Sequence, residues 1–134
     1  MRFNSEDLYE HVGYLFYAIA CEGTKLSAGN LLKLNQFIDE TWRQAICGDV
    51  TLSKYLADCI HNGVRFASVN GMSSDHALES FTRYFIIHSP AFGLTMREKI
   101  HLSAEMLLKE FPNNPKAGDM AKNIESLLIP VVLT

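Results

Sequence analysis

Five histidines, three cysteines and fifteen acidic side chains are the groups in this 134-residue chain that could do chemistry, and their spacing decides which kind. His11, His61, His76, His88 and His101 never stand at ligand spacing from a cysteine or from one another, and neither HExxH nor His-x-x-x-His occurs. A carboxylate-bridged di-iron centre needs Glu-x-x-His on two helices. Here His76-x-x-Glu79 runs in the reverse order, once, and His11 follows Glu10 directly. Cys21, Cys47 and Cys59 are far apart, so a zinc site would need all three to converge. Their odd number and the lack of CxxC fit reduced thiols that pack as small hydrophobes in a cytosolic protein. His88, on an apolar stripe just before Ser89-Pro90, fits a core histidine or one facing the last carbonyls of its helix.

Nucleophilic catalysis has no residue set either. There is no GxSxG, no glycine-rich phosphate loop and no dinucleotide fingerprint, and the serines fall where helix caps are needed. No catalytic residue is therefore assigned. Asp39-Glu40 with Arg43 four residues after Asp39 is the pattern of a solvated helix face with a local ion pair, without sign of a shifted pKa. Tyr14 and Tyr17 are the interaction candidates. Leu15, Phe16 and Ile19 take the core side of their helix, which places both tyrosines on its flank.

The elements that must position these groups are helices throughout. Apolar residues recur every three to four positions in six series, the first being Leu8, Val12, Leu15, Phe16 and Ile19, and no run alternates with period two. Asn4 or Ser5, Ser27, Asp49 or Thr51, Ser73 or Ser74, the Thr95-x-x-Glu98 capping box and Asn114 supply the starts. Gly48, Gly71, Ser89-Pro90 and Pro112 supply the stops, and Pro115 suits the first helical position after Asn114. Six helices are expected, near 5–21, 27–46, 51–69, 74–88, 96–110 and 115–129, in one all-α bundle spanning 1–134 with mostly antiparallel neighbours.

Composition narrows the function classes. Apolar residues make up 48% and charged ones 20%, which is globular. The net charge of −3 is spread evenly, with 8 acidic and 6 basic residues in 1–67 and 7 and 6 in 68–134, so no footprint for nucleic acid or an anionic membrane is expected. The longest uncharged stretch, Tyr84 to Met96, is interrupted by Ser89-Pro90 and Gly93 and is shorter than the ~20 apolar residues of a spanning helix. The opening stretch turns acidic at once, so no secretory leader is expected. The uncharged tail "LLIPVVLT" fits docking on the core or on a second subunit.

The loop between the first two helices carries a family resemblance. Leu15-Phe16-Tyr17-Ala18-Ile19-Ala20, then Glu22-Gly23, then Leu26-Ser27-x-x-Asn30, resembles the tellurite-resistance TerB-like family, best over residues 8–45. The resemblance implies a compact all-α cytoplasmic domain associated with tellurite and general stress responses. It also implies metal-dependent or membrane-associated complexes, without an assigned catalysis. Three departures weaken a cation site there. Glu22 replaces the family's Asp, Asn30 stands where an acidic residue is usual, and Thr24 and Lys25 lengthen the loop. The leading expectation is a non-enzymatic interaction or stress-response domain that engages a protein partner or a second copy. The alternative is a Ca²⁺- or Mg²⁺-binding module using Glu22, since these ions want several hard oxygens.

Overall fold

A computed structural model describes residues 5–21, 26–43, 50–88, 90, 93–112, 114 and 116–128. It is a compact all-α bundle of six helices, α1 (Ser5–Ala20), α2 (Ala28–Trp42), α3 (Val50–Val69), α4 (Ser74–His88), α5 (Leu94–Glu110) and α6 (Ala117–Leu128). No strand occurs among the described residues, and none of the described helices is long and apolar enough to cross a membrane.

α1 is the axis on which the others assemble. α3 and α4 pack against it most extensively, α5 and α2 complete the enclosure, and α6 packs on α5. From Leu15 to Cys21 every residue is buried. A helix apolar on all sides is a helix buried on all sides. The flank expected for Tyr17 therefore does not exist. Tyr17 is 1% exposed, and its hydroxyl donates to the Met72 carbonyl oxygen at 2.7 Å. Burial, with smaller contributions from Cys21, pushes that hydroxyl's pKa far up.

The approach of α1 to α3 depends on two glycines. A Cβ at Gly13 would overlap the Ile60 carbonyl oxygen, and one at Gly63 the Glu10 carbonyl oxygen. Backbone lies on backbone there, which draws the neighbouring side chains of the two helices together.

The buried C-terminal end of α1 would leave carbonyls without partners. Three side chains from distant segments supply donors. Ser74 Oγ donates to Ala18 O (2.7 Å), Asn114 Nδ2 reaches Ile19 O (2.9 Å) and Ala18 O (3.3 Å), and Asn30 Nδ2 donates to Ala20 O (3.1 Å). A buried carbonyl left unpaired costs about 1–3 kcal/mol, so this clasp sets where α2, α4 and the approach to α6 begin.

Asn114 was expected as the cap of the sixth helix. It holds that turn through Oδ1, which accepts from the Lys116 amide at 2.9 Å, while its amide nitrogen crosses to α1. Other boundaries follow the sequence. Ser27 Oγ accepts from Asn30 N, and Ser73 Oγ from His76 N, which frees Ser74 for the clasp. Gly71, at φ +61°, ends α3 in a Schellman motif, with Met72 N on Ala67 O and Gly71 N on Ser68 O. The Thr95 capping box is not used. α5 starts two residues earlier from an extended Gly93 without a side-chain cap, and Thr95 lies inside the helix. Glycine at an N-cap costs only a few tenths of a kcal/mol relative to serine or asparagine, so the earlier start is inexpensive. Likewise α3 begins at Val50, so Thr51 is inside it. Asn4, Cys47, Gly48, Asp49, Pro115 and the tail 129–134 lie outside the described residues.

Candidate functional site

Between α3 and α4 the outer side of α1 carries a ladder of five rings. Phe66 of α3 lies 6.0 Å from Tyr14, Tyr14 4.9 Å from His11, His11 3.9 Å from Tyr84, and Tyr84 4.3 Å from His88 (all centroid to centroid). Helical spacing sets half of this. His11 and Tyr14 are one turn apart on α1, and Tyr84 and His88 one turn apart on α4. The Gly13–Gly63 crossing brings Tyr14 beside Phe66, and the packing of α4 on α1 brings Tyr84 over His11. Phe66 is 55% exposed, while Tyr14, His11, Tyr84 and His88 are half-buried. An open pocket of about 540 Å³ at the α3–α4 turn, lined by Phe66, Asn70, Gly71, Met72, Ser73 and His76, extends the surface beyond Phe66.

His88, expected in the core or facing the last carbonyls of its helix, is half-buried in the last turn of α4 rather than in the core, with its ring tilted against that of Tyr84. His11 is fixed more firmly. Its Nδ1 sits 2.6 Å from the Asp7 carbonyl oxygen, an acceptor only, so that nitrogen carries the hydrogen. Burial pushes the His11 pKa down, His88 adds to the push, and the bond to Asp7 and the Asp7 charge resist without prevailing. The ring is thus a neutral stacking partner at neutral pH.

One margin of the ladder is acidic. Glu6, Asp7 and Glu10 occupy the first turns of α1. Burial, then Asp7, then Glu6 push the Glu10 carboxyl above its ordinary pKa. Asp7 and Glu10 also push up Tyr14 after burial, and Asp7 does so at Tyr84. Neither Asp7 nor Glu10 has a salt bridge among the described residues. Glu6 and Asp7 sit well with the positive end of the helix, whereas Glu10 stands beyond the first turn, where that field has faded.

Of the residues singled out in the sequence, Tyr14 stands in the middle of the ladder and Tyr17 in the core. Glu22 lies outside the described residues. Asn30 spends its amide donor on the Ala20 carbonyl, as part of the α1 clasp. The described residues hold no group of three or more His, Cys, Asp or Glu side chains placed for a metal ion. Cys21 and Cys59 are buried free thiols, and burial pushes Cys21 up to about 11 and Cys59 upward.

A second concavity, of about 400 Å³, lies between α2 and α3, lined by Leu31, Asn35, Asp39, His61, Arg65 and Ser68 among others. His61 Nε2 is 2.8 Å from Asp39 Oδ1 and its Nδ1 is 3.2 Å from Asn35 Oδ1. Arg43 bonds Asp39 at 2.8 Å, as the spacing predicts, and adds Asp58 at 3.0 Å. No shifted pKa was expected at Asp39, and the structure corrects this. Burial alone would raise it, but hydrogen bonds from His61 and Arg43 together with their charge hold it below its ordinary value. An ionised, doubly bonded carboxylate is an anchor between helices and not a general acid.

The ladder has aromatic faces, apolar neighbours and an acidic margin, and no nucleophile paired to a base. Such an arrangement can hold a ligand by ring contact and charge. No family model, no curated protein and no solved structure matches this chain.

Proposed function

We propose that this chain is a non-enzymatic interaction domain of the cytoplasmic, stress-response kind that its TerB-like resemblance implies, and that it engages a protein partner through the ladder Phe66–Tyr14–His11–Tyr84–His88. The observation that carries this reading is a continuous run of ring contacts, one stacked and three edge-on or tilted, among five aromatic side chains from three helices at an open surface. Rings held this way lose little freedom on binding, and aromatic side chains dominate the energetic centres of protein interfaces. Ile87, 72% exposed beside His88, and Val69, 79% exposed one turn from Phe66, lengthen the apolar part of the surface.

Comparative co-purification tests it. Phe66→Asp places a charge in the ladder, and Leu102→Asp does the same at an exposed position of α5 as a control. The partner retained by the wild type and by Leu102→Asp is lost from Phe66→Asp. An identical set of partners on all three chains would contradict the reading.

A further inference from the structure

We infer that the segment seated on the ladder is basic: a Lys- or Arg-bearing stretch of another protein, with its cationic groups over the Tyr14 and Phe66 faces and beside the Glu10 and Asp7 carboxylates. This rests on the ladder being a docking surface and adds the chemistry of what docks. A cation within about 6 Å of an aromatic face is attracted by the ring, by about 0.5–1 kcal/mol at exposed sites. The chain makes such contacts internally, with Arg97 5.1 Å from the Phe85 centroid and Lys99 Nζ 4.9 Å from that of Trp42.

Charge complementarity picks the sign. Asp7 and Glu10 act on Tyr14 electrostatically, and no basic side chain among the described residues forms a salt bridge with either. The arginines next in sequence to the ladder rings Phe66 and Tyr84 face elsewhere. Arg83 pairs with Glu79, and Arg65 lines the α2–α3 cleft. The histidine facing the acidic margin, His11, is held neutral by burial. Glu10, partly buried and beside two other carboxylates, gains from any cation that approaches. A second copy of this chain is a poorer occupant, because a two-fold contact through the ladder would set the acidic margin near its own image.

Fluorescence anisotropy with four labelled peptides on the purified chain tests the inference: Arg-Gly, Lys-Gly, Gln-Gly and Glu-Gly repeats of equal length. The Arg-Gly and Lys-Gly peptides bind, Arg more tightly because its planar group also stacks, and binding weakens as salt rises. Phe66→Leu weakens it about two- to five-fold, the factor that corresponds to an exposed cation–π contact. Glu10→Gln weakens it too while leaving the thermal midpoint unchanged or higher, an outcome that a purely structural role for Glu10 would not give. Equal binding of the Gln-Gly or Glu-Gly peptide overturns the basic assignment and leaves the ladder as a docking surface. Basic-peptide binding that ignores both substitutions places the contact elsewhere and overturns the inference, as does no binding of any peptide. Loss of the co-purified partner from Phe66→Asp, together with a failed peptide series, would separate a wrong partner chemistry from a wrong surface.

Discussion

Asn114 is 5% exposed, and its side chain serves both the turn before α6 and the carbonyls of α1, some 95 residues away in sequence. Asn114→Ala should cost about 1–3 kcal/mol, because it strands buried carbonyls rather than merely losing a bond. Urea unfolding checks this, and an unchanged midpoint would mean that Ala18 and Ile19 find other donors. Tyr17→Phe removes the bond to Met72 and should cost about 0.5–1.5 kcal/mol. At this scale the sequence was legible where a residue acts locally, as Ser27 and Ser73 do at their own helices. It was silent where the partner lies far along the chain. Asn114 looks like an ordinary cap, and nothing local reveals its second bond. Tyr17 looked like a flank residue because a one-face pattern does not register a helix enclosed on every side.

Helix by helix, periodicity located all six elements, since each buries a stripe that repeats with the helical turn. The start of α5 was misplaced because a good capping box was available and an uncapped glycine two residues earlier sufficed. The α1–α3 crossing was invisible, since a helix glycine gives no sign of whether backbone or solvent faces it. That difference makes a paired prediction. Gly13→Ala and Gly63→Ala meet backbone oxygens and should destabilise by about 1–3 kcal/mol or more. Gly29→Ala, with nothing within 4 Å, should stabilise by about 0.5–1 kcal/mol. Denaturant midpoints compare the three; similar losses at all of them would remove the crossing as the cause. The α2–α3 tie adds a pH dependence. Asp39's folded pKa lies below its unfolded value of 3.8, so its contribution is full above that value and fades as the pH falls through the folded pKa. Asp39 is 48% exposed on its side chain, so the tie contributes at most about 1 kcal/mol. Asp39→Asn should lower the urea midpoint at neutral pH and converge with the wild type at strongly acid pH. A gap that persists in acid would assign the effect to packing.

Across the whole molecule the bundle was legible and the ladder was not. Its rings come from three helices, and only the pairs His11–Tyr14 and Tyr84–His88 leave a trace in spacing. Tyr14 was recognised alone; Phe66 joins it because two glycines let α1 and α3 approach. The acidic residues that open α1 look like routine helix-start chemistry until the fold sets Glu10 and Asp7 near the rings. The central claim, that this surface receives a basic segment, is met most directly by amide chemical-shift mapping of the isotope-labelled chain as the Arg-Gly peptide is added. The account predicts saturable shifts concentrated at 7–14, 62–66 and 84–88. Shifts confined to the α2–α3 cleft or to α5, or no saturable shifts at all, would contradict it.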